Sequence, residues 1–190
     1  SAFIYVVISI MVIYYFMADK DSIKATYLKS FPSQMRKKAE NIINIISQKV
    51  GGYIFAQLVT IASVGLVMAI GLSIMRIDYA LLLALITTVL DLIPVVGPTI
   101  ALIICIIATS QSGVVAVTTV IVVFAIAQLV ENNFVRPFVF GKFLNLHPLL
   151  IYLFLFIMAK YAGIVGVVFA PAVAATVCVL YEELYMKNIN

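Results

Sequence analysis

Residues 51–75 run for 25 positions without a charged side chain, and this run limits the fold more than any other feature of the chain. A helix over it is about 38 Å long, enough to cross a hydrocarbon core of about 30 Å. Lipid offers no water to bare backbone amides and carbonyls, so the segment must satisfy them internally. The rest of the chain is of the same kind: 65% of it is hydrophobic, only 11% is charged and its mean hydropathy is +1.20. Soluble domains are about 45–50% apolar and about 25% charged. Polar surface is therefore too scarce to cover a water-soluble core. A soluble enzyme, a disordered chain and a disulfide scaffold are excluded. The expected fold is an all-α membrane protein, with the lipid bilayer as its first partner.

Three regions are expected. Residues 1–18 form an apolar run at the lower length limit for a transmembrane helix. The run has no basic start and no small-residue cleavage site, unlike a signal peptide, and its abrupt opening predicts that further chain lies upstream. Residues 19–50 are the polar connector. Seven of the twelve basic residues fall there (Lys20, Lys24, Lys29, Arg36, Lys37, Lys38 and Lys49). Basic residues gathered beside apolar spans indicate a cytoplasmic loop rather than a nucleic-acid partner. Within it Met35, Ile42, Ile43, Ile46 and Val50 recur at helical spacing behind Pro32. That pattern predicts an amphipathic helix, either a plain connector or a lipid-surface element. Residues 51–190 form the membrane core, and 114–130 is its second clear span.

Two apolar segments of the core have the wrong length. Residues 79–109 number 31 and residues 148–181 number 34, about 46 and 51 Å as straight helices. Each carries breakers near its middle: Asp91, Pro94, Gly97 and Pro98 in the first, Lys160, Gly163 and Gly166 followed by Pro171 in the second. Proline removes a backbone donor and glycine weakens the helix on either side. Both segments are therefore expected to be broken helices or re-entrant hairpins of two half-span arms. With 19–49 inside, a re-entrant 79–109 returns Arg136 and Lys142 to the cytoplasmic side, which favours that topology. Pro98 to Cys105 can also be laid on Pro171 to Cys178 with matching Pro, Ala and Cys, either an internal repeat or the chance matching that apolar sequence readily gives. Paired, interrupted hydrophobic segments point to a transport pathway.

Ionisable groups inside apolar runs mark a pathway or a pair. Asp91 and Lys160 qualify, and each sits at a break. Asp91 is either a proton- or cation-responsive group or a cap on the amides freed at the break. Lys160 is its partner, an anion-attracting charge, or a side chain snorkelling to an interface. Gln128, Glu131 and Asn132 share a helix face, and with Asn133 they form either a polar mouth or a solvated helix end. Beyond them the turn-rich stretch with Pro137, Gly141, Lys142, His147 and Pro148 closes the loop, with His147 placed to cap the next helix. Cys105 and Cys178 lack metal or CxxC spacing, and one histidine makes no multi-histidine metal site. No nucleophile–base pair or catalytic motif is present, so no catalytic residue, cofactor or enzyme activity is expected.

Leu92-Ile-Pro94-Val-Val-Gly97-Pro98, and then Gln128-Leu-Val-Glu131-Asn132-Asn133 with Arg136-Pro137, Gly141-Lys142 and Leu146-His147-Pro148-Leu149, resemble the autoinducer-2 exporter family of bacterial permeases in content and order. Gly163-Ile-Val-Gly166-Val-Val-Phe-Ala-Pro171 resembles the Gly-rich end of that family, and Tyr15-Phe-Met-Ala-Asp19 and Leu28-Lys-Ser-Phe-Pro32 fit its opening. The resemblance spans essentially the whole chain. It implies a multi-pass protein of the bacterial inner membrane, usually with further N-terminal helices, that exports autoinducer-2 or exchanges Na⁺ for H⁺. Lys160, where a small residue is expected, and Asp91, where Asn would also fit, favour an ion-coupled site. The expected function is transport of a small molecule or cation, with Asp91 responding to the ion, Glu131 at the cytoplasmic mouth and the breaks lining the path. The alternative is a non-transporting membrane scaffold whose breaks pack an oligomer. A homo-oligomer is expected in either case, because half-span arms need protein neighbours to cover their ends.

Overall fold

The computed structural model describes residues 18–94, 96–140 and 146–185, and among them all regular structure is helical. Residues 1–17 of the expected first span, and Gly141 and Lys142, lie outside the described residues. The chain divides into two compact units, residues 1–45 and 46–190.

In the first unit α1 (Lys20–Lys29) precedes Pro32 and the start of α2 (Arg36–Ile74). Its internal ties are exposed and polar. Lys24 Nζ reaches Glu40 Oε1 at 3.1 Å and Asn44 Oδ1 at 2.8 Å, and Arg36 Nε donates to the Phe31 carbonyl at 3.0 Å. Helix α2 continues for 39 residues, so the amphipathic connector helix and the first clear span are one helix. Gly51 and Gly52 fall inside it. At about 1 kcal/mol each, they cost too little to break a helix this long.

The second unit is organised on one face of α2. Tyr53, Ala56, Gln57, Thr60, Val64, Met68 and Leu72 are buried at the three- and four-residue spacing of a helix stripe. The opposite face, with Leu58, Leu66 and Ile70, is exposed, as expected where lipid is the solvent. Val64, Met68 and Leu72 pack with Leu83, Ala84, Ala101, Cys105, Val120, Val123, Phe124 and Ala127 in one core.

The segment 79–109 is broken, as its glycine and prolines require. Helix α3 (Ala80–Leu90) and helix α4 (Val96–Thr109) have 11 and 14 residues, about 17 and 21 Å, and neither alone spans a bilayer. The two arms lie against each other, with Thr87 Oγ1 3.7 Å from Cys105 Sγ. Gly97 is what lets them close: a Cβ there would overlap the carbonyl oxygen of Leu90.

After a short 3₁₀ turn (Ser110–Ser112), α5 (Val114–Val130) runs into a π-turn (Glu131–Val135) and then α6 (Arg136–Phe140). In an α-helix residue 137 would donate to the carbonyl of Asn133. Pro137 has no donor and its ring presses on that carbonyl. Widening the turn relieves the clash, and the Arg136 amide accordingly donates to the carbonyl of Glu131, five residues back.

Helix α7 (Pro148–Leu184) opens on His147, whose Nδ1 accepts from the Leu149 amide at 3.3 Å. It is interrupted at Gly163, with φ 58° and ψ −144°, a conformation open essentially to glycine alone. Gly166 then lies against the Met158 carbonyl, eight residues back, which a straight helix would hold about 12 Å away. The arms here are unequal. The part after Gly163 is about 32 Å long and reaches full-span length, because Pro171 is accommodated inside the helix. Pro98, by contrast, lies in the first turn of α4, so the Pro98 and Pro171 matched as a repeat occupy different places in their helices. Three stretches, Arg36–Ile74, Val114–Phe140 and Leu149–Leu184, are long and apolar enough to cross a membrane.

Candidate functional site

The first break and the arm that follows the second meet the same part of α2. Gln57 Nε2 donates to the backbone carbonyl of Asp91 at 3.3 Å, and one turn earlier Tyr53 Oη donates to the carbonyl of Val168 at 2.7 Å. Both side chains are buried. A polar group in such surroundings stays only if it is hydrogen-bonded; the acceptor for Gln57 is at the first break, and the acceptor for Tyr53 is a carbonyl of the helical arm that follows the second.

Asp91 is 1% exposed, and neither of its carboxylate oxygens has a hydrogen-bond partner among the described residues. The break does not use it as a cap. The amides around it are met by backbone: Asp91 N by Thr87 O, Ile93 N by Leu90 O and Gly97 N by Ile93 O, each at 2.9 Å. An unpartnered buried carboxylate costs several kcal/mol by order of magnitude.

Glu131 is fully buried and fully paired. Its Oε1 accepts from Arg136 Nε and Nη2 at 2.6 Å each, and its Oε2 accepts from Gln128 Nε2 at 3.1 Å. Residues five apart in an α-helix lie about 140° from each other around the axis. The π-turn brings them onto one face, and that makes the pair. The Arg136 guanidinium also lies 6.0 Å from the centre of the Phe140 ring, which packs on the Tyr53 ring at 5.9 Å. Glu131 and Arg136 are near enough to act electrostatically on Asp91, and the Gln128 amide, already donating to Glu131, approaches the Asp91 carboxylate as a second donor without closing a hydrogen bond. Two carboxylates, one guanidinium and two amides thus converge from α2, the first break and the end of α5.

The structure brings Asp91, Gln128 and Glu131 together, with Pro94, Gly97 and Pro98 forming the break beneath them. Asn132, Asn133 and Pro137 are exposed, and Asn133 Nδ2 donates to the Leu129 carbonyl at 3.0 Å. Lys160 is exposed and sits 5.7 Å from the Tyr161 ring centre, and among the described residues it makes no ion pair with Asp91. Gly163 and Gly166 make the second break; His147 and Pro148 start α7. Among the described residues no three His, Cys, Asp or Glu side chains gather as a metal site.

Sequence reasoning missed Tyr53, Gln57 and the pairing of Arg136 with Glu131. A signal for the first two was present, because Tyr53, Gln57 and Thr60 are polar residues at i, i+4 and i+7 in a run without charges. The pair depends on the π-turn, which α-helical spacing hides.

A family model described as "AI-2E family transporter" matches residues 1–186. The chain is 30% identical over 177 residues to "Putative transport protein YrrI" of Bacillus subtilis, covering 93% of this chain and 50% of that protein. It is 30% identical over 166 residues to "Putative transport protein YueF" of the same organism, covering 87% and 45%. Over 123 residues it is 32% identical to "Putative transport protein sll0060" of Synechocystis, covering 65% and 36%. The chain thus spans about half the length of the first two relatives. No solved structure matches it. An all-α, multi-pass membrane protein with helices broken at IPxxGP and GxxG elements, the chain belongs to the AI-2E transporter family.

Proposed function

We propose that this chain forms the broken-helix part of an ion-coupled exporter of the bacterial inner membrane, with Asp91 as the group that takes up and releases the coupling proton or cation. The observation that carries this reading is the Asp91 carboxylate, fully buried at a helix break with no hydrogen-bond partner. Glu131 and Arg136 form a standing charge pair beside it. That pair sets the local field and leaves one carboxylate in surplus, so a single positive charge completes the site. The half-length arms α3 and α4 form a re-entrant hairpin that presents Asp91 to the pathway, and α7 with its break at Gly163 forms the facing wall. The exported solute is a small molecule of the autoinducer-2 type or Na⁺ itself. The protein works as a homo-oligomer that covers the short arms.

The test uses the full-length protein in proteoliposomes with a trapped pH dye and an outward or inward Na⁺ gradient. The expected result is a prompt change of internal pH that Asp91→Asn abolishes while the variant still elutes as folded protein. No pH response from folded wild-type protein overturns ion exchange and turns the search to small organic solutes. No flux of either kind favours an oligomeric scaffold.

A further inference from the structure

The bonds from Tyr53 and Gln57 reach different broken segments, and they leave α2 one helical turn apart. Neither uses a side chain on the far partner. Both end on backbone carbonyls, at Val168 five residues after Gly163 and at Asp91 in the first break. Such a carbonyl bond reports where the chain is and is indifferent to which side chain it carries. In a region with little water, each donor that lets go is left unsatisfied, a cost that keeps the bond closed until another acceptor arrives. Tyr53 and Gln57 are themselves 3% and 6% exposed, so solvent does not offer one.

We propose that Tyr53 and Gln57 are positioning residues that fasten the first helix break and the arm after the second to a single turn of α2, so that the two broken segments loosen together rather than one at a time. The linkage runs through α2 because the two side chains lie on the same stripe. The Tyr53 ring carries it further, through Phe140 to Arg136 and so to the charge pair beside Asp91. A change of occupancy at Asp91 that moves its carbonyl away from Gln57 is thereby felt at Val168. This inference rests on the pathway reading for its purpose, but the linkage itself is read without any transported solute.

The experiment follows the labelling rate of single cysteines in the full-length protein, reconstituted in proteoliposomes with Cys105→Ala and Cys178→Ala as background. One reporter is Leu92→Cys in the first break, the other Val167→Cys beyond the second; both positions are half-buried. Tyr53→Phe keeps the ring and loses only the donor, and Gln57→Leu keeps the volume and loses only the amide. Each is expected to raise the labelling rate of both reporters, about three- to tenfold, the change in an opening equilibrium that goes with losing one buried hydrogen bond. The distant response is the decisive one: Leu92→Cys faster in Tyr53→Phe, and Val167→Cys faster in Gln57→Leu. A rise confined to the reporter on the severed side, or no rise at all, overturns the linkage. Since labelling needs no flux, a failure of the ion-exchange reading leaves this result standing, and the reverse also holds.

Discussion

Glu131 and Asp91 are both carboxylates buried to about the same degree, and their surroundings divide them. Glu131 is held by three donors, Asp91 by none. Removing the guanidinium should therefore harm the fold through Glu131. Arg136→Ala leaves a buried charge uncompensated, a loss of about 3–5 kcal/mol, and Glu131→Gln made in the same protein should recover part of it. Thermal loss of the monodisperse species in detergent measures both, and equal midpoints for single and double variants would contradict the account. Asp91→Asn should leave that midpoint unchanged or raise it, because the carboxylate closes no hydrogen bond among the described residues and the amide removes a buried charge while still meeting the nearby Gln128. Asp91 and Glu131 were legible in the sequence as rare acids in apolar or helix-end positions. Their different states were not, since they depend on a contact made by Arg136 across a turn that sequence spacing does not reveal. Lys160 illustrates the converse. It is as conspicuous in the sequence as Asp91, yet its long stem lets the charge leave the apolar surface, and it sits exposed beside Tyr161.

The helices owe their interruptions to a few residues whose effects differ in kind. Gly163 is needed for its backbone angles, with a positive φ and nothing within 4 Å of an added Cβ. Gly97 is needed for its missing side chain, because the Leu90 carbonyl occupies the space. Gly51 is needed for neither, being helical with open space around it. Substitution by alanine should separate them. Gly163→Ala is expected to cost about 1–3 kcal/mol through strain, and Gly97→Ala a similar amount through forced displacement of one arm. Gly51→Ala is expected to stabilise by about 0.5–1 kcal/mol, the ordinary gain in a helix interior. Unfolding midpoints of the three variants would check the order, and a harmless Gly97→Ala would contradict the close packing of α3 on α4. Both interruptions were legible from the clustering of Gly and Pro. The inequality of the α7 arms was not, because Pro171 can lie within a helix when neighbouring groups absorb the lost bond, and composition alone does not show where neighbours lie.

Across the second unit, the broken first segment decides which ends of the helices share a membrane side. If α3 and α4 are the arms of a re-entrant hairpin, Asp78 before them and Ser112 after them lie on one side. A through-going segment would put them on opposite sides. The contact of Thr87 with Cys105, and the shared core of Leu83, Ala84, Ala101 and Cys105, fold the arms back on each other. Lys49, where the uncharged run of α2 begins, lies 4.0 Å from Glu182 at the end of α7. The distribution of basic residues predicts the cytoplasmic side for both. This weak, solvent-reaching pair contributes little energy, yet it identifies which ends of the helices lie together. The polar cluster at Tyr53 and Gln57 starts one turn from Lys49, so the same topology predicts that the Asp91 site lies closer to the cytoplasm than to the exterior. Asp78→Cys and Ser112→Cys, both at exposed positions, should therefore react with a membrane-impermeant maleimide added to intact cells. Glu182→Cys, also exposed, should react only after the cells are opened. Reaction of Asp78→Cys and Ser112→Cys from opposite sides would turn 79–109 into a crossing segment and remove Asp91 from the tip of a hairpin. Arg136 would then face the exterior, on the side opposite the basic cluster of 19–49.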